Sequence, residues 1–261
     1  MALLTGRVAV VTGGAQGLGF AIAQRFVDEG ARVVLGDVNI EATQEAADTL
    51  GGADVARAVR CDVTDSAEVD ALITDAVDGF GGLDIMVNNA GIVNGSTVQK
   101  FRLDKWRQII DVNLTGAFHT IDVAMKPMIK YGNGGAIVLT SSVNGLVGLG
   151  APIAGAVGYT AAKHGMVGLM RAYANFLAPY SIRVNSIHPA GVNTPMIDNE
   201  FTRSWLDGMT DETGPDMSNA LPVRALEAED IANAVYWLVS EAGRYVTGVA
   251  LPVDAGFVNK R

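Results

Sequence analysis

Tyr159 and Lys163 stand four residues apart in YTAAK (159–163), and a glycine-rich stretch separates them from the serines Ser141 and Ser142. On a helix, positions i and i+4 share a face, so a helix beginning near Tyr159 would set the lysine ammonium beside the phenol. A phenol ordinarily titrates near ~10, and a neighbouring cation favours its ionised form. Such a pair suits proton transfer to or from a substrate oxygen. Ser142, read as the end of a strand, could donate a hydrogen bond to that same oxygen. The stretch SSVNGLVGLGAPIAGAV also reads as a flexible loop that happens to precede a helix. What decides between the two is whether the chain supplies a partner for proton chemistry.

A partner site lies at the other end of the chain. TGGAQGLG (12–19) follows the apolar run RVAVVT and opens a helical pattern. Gly13, Gly17 and Gly19, with Gln16 and Leu18 among them, leave backbone amides free to approach a pyrophosphate at a positive helix end. Asp37 ends the second apolar run, 18 residues beyond Gly19. A carboxylate there accepts hydrogen bonds from the adenosine ribose hydroxyls. It would also repel a 2′-phosphate, and positions 34–40 hold no arginine or lysine. The expected cofactor is NAD(H) rather than NADP(H).

These residues need a scaffold, and the chain alternates short apolar runs with helical patterns. Strands are expected at 7–12, 31–37, 56–62, 83–89, 136–142, 182–189 and 248–254. Helices are expected at 18–29, 40–50 and 66–78, in long segments between the fourth and fifth strands, and from about Tyr159. Seven strands separated by helices predict an α/β, Rossmann-like doubly wound fold with a seven-stranded parallel sheet and helices on both faces. No linker or repeat divides residues 1–261, so one domain is expected. The segment 190–225 is rich in glycine, proline and bulky apolar residues, among them Met196, Phe201 and Trp205. It is expected to be a lid.

Composition excludes several alternatives. A net charge of −9 disfavours nucleic acid and anionic membrane surfaces. Cys61 is the only cysteine, so no intrachain disulfide forms and a cysteine metal cluster has no ligands. His119, His164 and His188 show no metal-ligand spacing, and no metal is expected. The N-terminus lacks the pattern of a signal peptide and no run is long enough to cross a bilayer. A cytoplasmic protein with no membrane partner is expected.

Taken together, TGGAQGLG, the Asp62–Val63 pair, NNAG (88–91), Asn113, TSS (140–142), YTAAK and PAGVNTP (189–195) resemble the short-chain dehydrogenase/reductase family. The order of these motifs along almost the whole chain carries the resemblance. It implies Asn113, Ser142, Tyr159 and Lys163 as the catalytic set, with Asn113 serving a proton relay. Cofactor contacts implied by the same resemblance are Asp62, Val63, Asn89, Val192 and Thr194, with Tyr159 and Lys163 reaching the nicotinamide end. The wording of the motifs is similar to actinobacterial alcohol and carveol dehydrogenase-like members, and that of the front half to 3-oxoacyl-carrier-protein reductases.

The expected reaction is therefore NAD(H)-dependent interconversion of a small hydrophobic secondary alcohol and its ketone. Reduction of a 3-oxoacyl thioester on an acidic carrier protein stands beside it, with Lys126, Lys130 and Arg171 as its docking cations. A cofactor-binding sensor without chemistry is a third reading. Val93, Asn94, Val143, Asn144 and Met196 are candidate substrate contacts beyond the strand ends. The resemblance further implies a homotetramer. The interval from Ser142 to Tyr159 is longer than the family's usual one, and the extra residues are expected to bulge within GLGAPIAGAV as a rim loop.

Overall fold

β1 (Val8–Thr12) explains the layering of the whole molecule, because all five of its residues are buried. Val8 and Val10 point into one core, while Ala9 and Val11 point into another. A strand alternates its side chains between faces, so a strand buried throughout must be covered on both sides. The computed structural model describes residues 3–93, 102–149, 154–196 and 218–260. Asn94, residues 150–153 of the expected rim loop, and residues 197–217 of the expected lid lie outside these.

The other strands are β2 (Arg32–Asp37), β3 (Ala56–Arg60), β4 (Ile85–Asn88), β5 (Gly135–Thr140), β6 (Ile182–Pro189) and β7 (Ala250–Val253). They form one parallel sheet in the order β3-β2-β1-β4-β5-β6-β7. The chain runs outward from β1 to β3 and then returns to start β4 on the other side. The crevice at the carboxyl ends of β1 and β4 is where a sheet of this kind receives ligands.

The helices are α1 (Gly17–Asp28), α2 (Ile40–Thr49), α3 (Ser66–Phe80), α4 (Leu103–Ile110), α5 (Gly116–Tyr131), α6 (Ala154–Leu177) and α7 (Ala228–Val239). One core is closed by Leu72 and Ile73 of α3, Ile121 and Met128 of α5, and Met166 and Met170 of α6. The opposite core takes Ile22 and Phe26 of α1, Ala47 of α2, and Ile231, Val235 and Leu238 of α7. Each large side chain buried in this way contributes ~1.5–3 kcal/mol.

Three local features differ from the sequence expectation, and all three lie at the site. β5 stops at Thr140, and Ser142 is instead the extended residue that caps a 3₁₀ turn at Val143–Gly145. α6 begins at Ala154, five residues before Tyr159. Its early glycines permit this: a side chain at Gly158 would lie 3.3 Å from Trp106 and 3.4 Å from Ile109, so α6 closes tightly on α4. Between α4 and α5 the helix widens into a π turn, Asp111–Thr115. At the base of the 190–225 segment, Val192 bridges to Leu226, with Asn193 N donating to Leu226 O at 2.9 Å and Leu226 N to Gly191 O at 2.9 Å.

α1 approaches the turn after β1 so closely that a Cβ at Gly19 would sit 2.0 Å from the Gly13 carbonyl oxygen. That oxygen belongs to the backbone and cannot swing aside. Gly19→Ala is therefore expected to cost about 3 kcal/mol, the upper end of overpacking effects. Gly168→Ala, where no atom lies within 4 Å, should gain ~0.5–1 kcal/mol by the helix preference for alanine. Denaturant midpoints measure both, and a Gly19→Ala midpoint equal to that of the unmodified protein would contradict the close approach.

Candidate active site

The glycine turn is held open by the residues that follow β4. Gly13 and Gly17 have φ of 64° and 57°, the left-handed region that glycine enters without a steric cost. Asn89 donates from its amide to Thr12 O at 3.1 Å and Gly13 O at 3.2 Å. The Thr12 hydroxyl accepts from the backbone amides of Asn89 and Ala90, each at 3.1 Å. Asn89 thus fastens the turn, and the turn presents the helix end. Gln16 occupies the N-cap of α1 without capping it, and the first turn holds no acidic residue. The positive end of α1 is therefore available to an anion.

Asp37 is preset beside that end. Its carboxylate accepts from Ala15 N at 3.3 Å and Asn39 N at 3.2 Å. Leu18 is half-buried in the first turn. Asp62 follows β3; its amide donates to Glu68 at 2.7 Å and its carboxylate accepts from Thr64 N at 2.9 Å. Val63 is buried, with its carbonyl 3.2 Å from His119 Nδ1. On the far side, the Thr194 side chain would lie 3.5 Å from a Cβ at Gly17, while Val192 is buried beneath it. An uncapped helix end, a glycine turn and a fixed carboxylate fit the pyrophosphate and ribose of a dinucleotide.

The second group of residues meets at the ends of β4 and β5. The Ser142 side chain lies near enough to the Tyr159 phenol to draw its pKa down. Lys163 Nζ lies 5.3 Å from the centroid of the Tyr159 ring and donates to Thr140 O at 2.7 Å. The lysine is only 3% exposed. Asn113 sits inside the π turn, where its amide donates to Ile92 O at 2.9 Å and Ile109 O at 3.0 Å. Its Oδ1 is buried without a protein partner among the described residues. A Cβ at Gly91 would lie 2.7 Å from that Oδ1 and 3.6 Å from Lys163 Nζ. Gly91 therefore keeps open the space that Asn113 and Lys163 share.

Electrostatics add the effect of burial to the expected pairing of Tyr159 with Lys163. Burial pushes the Tyr159 phenol above its ordinary value, and the Ser142 side chain pulls it back only in part. Burial drives the Lys163 ammonium down to about 7. The lysine alone does not lower the phenol, because desolvation penalises the charged form of both groups. A further positive charge beside them is needed.

The candidate substrate contacts divide. Val93 and Met196 are exposed, and Val143 is buried. The Asn144 amide donates to Leu149 O at 3.2 Å and Thr160 Oγ1 at 3.1 Å, and the Thr160 hydroxyl donates to Leu149 O at 2.8 Å. Asn144 thus pins the segment around Leu149 to α6. With β5 ended, the Ser141 hydroxyl turns to α6 and donates to Lys163 O at 3.0 Å.

Sequence reasoning passed over His188. It is fully buried at the end of β6, with Nδ1 2.8 Å from Ser142 O and Nε2 2.9 Å from Ser186 Oγ. A carbonyl only accepts, so Nδ1 carries the hydrogen and Nε2 accepts from the serine hydroxyl. Burial pushes its pKa down to about 4 against the pull of the Ser142 bond, with the charges of Lys163 and His164 adding to the fall. A histidine two residues beyond a serine on an apolar strand was the only available signal.

The family described as Enoyl-(Acyl carrier protein) reductase matches residues 13–258. The chain is 42% identical to a (−)-trans-carveol dehydrogenase of Rhodococcus erythropolis, over 98% of this chain and 99% of that one. It is also 42% identical to a 3-alpha-(or 20-beta)-hydroxysteroid dehydrogenase of Mycobacterium tuberculosis, over 98% of this chain and 90% of that one. The crystal structure of a carveol dehydrogenase from Mycobacterium avium in complex with NAD superposes with a TM-score of 0.88 at 38% identity, covering 99% of this chain and 100% of that chain.

His188 gives the site an acid limit. Its folded pKa lies below the unfolded value, so its contribution to stability is complete above about pH 6.5 and is lost as pH falls through 4. That loss amounts to about 3 kcal/mol. His188→Asn, which cannot titrate, should lose about that much less stability between pH 7 and pH 4 in urea unfolding. Equal losses in the two proteins would contradict the buried neutral histidine.

Proposed function

The chain belongs to the short-chain dehydrogenase/reductase family of oxidoreductases, and on that premise we propose that it interconverts a hydrophobic secondary alcohol and its ketone with NAD(H). The observation that carries this reading is the buried Lys163, its Nζ 5.3 Å from the centroid of the Tyr159 ring, with the Ser142 side chain beside the phenol. When bound, NAD supplies the hydride acceptor and a positively charged ring.

Tyr159 holds or takes the alcohol proton at its phenolic oxygen. Ser142 donates to the substrate oxygen and offsets the charge that develops there. Lys163, poised near neutrality, stabilises the phenolate and passes the proton onward. The Oδ1 of Asn113, without a protein partner among the described residues, would hold the water that carries the proton from Lys163 toward solvent. Asp37 takes the adenosine ribose hydroxyls, and the uncapped end of α1 takes the pyrophosphate. Asp62 and Val63 flank the adenine, while Val192 and Thr194 approach the nicotinamide end.

The relatives named for carveol and hydroxysteroid substrates support an apolar alcohol, as do the exposed apolar side chains of Val93 and Met196. A carrier-protein substrate draws less support, because Lys126 of its docking set is already paired with Asp122 at 3.0 Å. Self-association as a homotetramer is part of the proposal. The exposed Phe176, Tyr180 and Trp237 offer apolar surface for it, and light scattering reads the stoichiometry.

The test is a panel of terpenoid, steroid, aliphatic and 3-hydroxyacyl substrates with NAD⁺ and NADP⁺. Turnover is expected with the apolar alcohols and NAD⁺. Tyr159→Phe should lower kcat by ~10²–10⁴-fold while cofactor affinity is retained. Preference for NADP⁺ would overturn the role of Asp37, and absence of turnover with every substrate would leave the sensor reading in its place.

A further inference from the structure

We propose that His188 is a positioning residue for this reaction, tying the Ser142 peptide to β6 so that the serine hydroxyl stays aimed at Tyr159. The inference rests on the dehydrogenase reading for its catalytic consequence and on geometry for the tie itself.

The ladder between β5 and β6 ends at the pair Thr140 and Ile187. Ser141 N still donates to Ile187 O at 2.9 Å, but the chain then leaves the sheet one residue before the serine that must be held in place. The next connection to β6 comes from a side chain. His188, the residue after Ile187, donates from Nδ1 to Ser142 O at 2.8 Å. The second lone pair of that carbonyl accepts from Gly145 N at 2.8 Å, which closes the local turn without reaching the sheet. Among the described residues, only the histidine bond joins the Ser142 carbonyl to a rigid neighbouring strand.

The rest of the environment agrees. Ser186 occupies Nε2 at 2.9 Å, which selects the tautomer with hydrogen on Nδ1 and leaves no free donor or acceptor on the ring. On the opposite side, Asn144 N donates to Ser142 Oγ at 3.2 Å, and the Asn144 amide is itself fastened to Leu149 and Thr160. Ser142 is thus held at its carbonyl from β6 and at its hydroxyl from the 3₁₀ turn. A residue that served only to fill the core would need neither bond.

Two variants separate positioning from bulk. His188→Leu keeps volume and removes the donor, whereas His188→Asn returns an N–H near the position of Nδ1. In single-turnover oxidation at saturating alcohol, His188→Leu should slow hydride transfer by ~10- to 100-fold, as misplacement of a reacting group does. The NADH dissociation constant from fluorescence should stay unchanged, and His188→Asn should recover most of the rate. A wild-type rate in His188→Leu, or equal loss of rate and cofactor affinity, would overturn the proposal.

NMR of the histidine- and serine-labelled protein decides the tie without turnover. The expected result is the Nδ1–H tautomer and a Ser142 carbonyl shift that changes in His188→Leu and returns in His188→Asn. An Nε2–H tautomer or an unmoved carbonyl would overturn it, even where His188→Leu fails to fold, since the tautomer is read on the unmodified protein. A wild type inactive on the entire panel would instead overturn the dehydrogenase reading and the catalytic consequence of the tie.

Discussion

A lysine amine buried to 3% exposure is the constraint on which the site is built. Removing an ammonium from water is costly unless acceptors and space are prepared for it. The fold prepares them from three elements. Thr140 ends β5 early enough to offer its carbonyl. The π turn between α4 and α5 rotates Asn113 inward, with its amide spent on Ile92 and Ile109 and its Oδ1 left facing the shared space. Gly91 carries no side chain that would fill that space. A π turn costs regular helix bonding and commonly marks a functional position. Here it places one amide where a regular helix would not.

The remaining architecture keeps this cluster in register with the glycine turn and Asp37. Both stand at the carboxyl ends of strands in one sheet, on either side of the β1–β4 crevice. Asn89 and Thr12 bind the glycine turn to the residues that follow β4, while Ser141 and Lys163 bind the end of β5 to α6. Backbone carbonyls receive most of these bonds. The chemical groups are therefore located by main chain that the sheet has already fixed, and the geometry is set before a ligand arrives.

Much of this was legible in the sequence. The seven strands and the order of helices followed from apolar runs that alternate with helical spacing, because a sheet buried on both faces leaves little polar interruption. TGGAQGLG and Asp37 were readable because glycine and a strand-end carboxylate have few other reasons to occur at that interval. The boundaries near the serine were not readable. Whether β5 stops at Thr140 or Ser142 depends on bonds from β6 and α6, which have no local signature. The early start of α6 depends on Gly158 meeting Trp106 and Ile109, a tertiary contact. His188 stayed hidden for the same reason, since its partners are a backbone carbonyl 46 residues away and a neighbour on its own strand. The depth at which Tyr159 and Lys163 lie was not readable either, since spacing shows the nearby lysine but not the burial that raises the phenol in the absence of further positive charge.

The account rests on Lys163 setting the proton chemistry of Tyr159 once positive charge is added beside it. The most direct measurement is the pH dependence of hydride transfer, followed by single-turnover NADH formation from NAD⁺ and an accepted alcohol, in the unmodified protein and in Lys163→Met. The account predicts a base whose apparent pKa lies well below that of a free phenol in the unmodified protein. In Lys163→Met that pKa should rise toward or beyond the ordinary phenol value. An identical pH profile in the two proteins would contradict it.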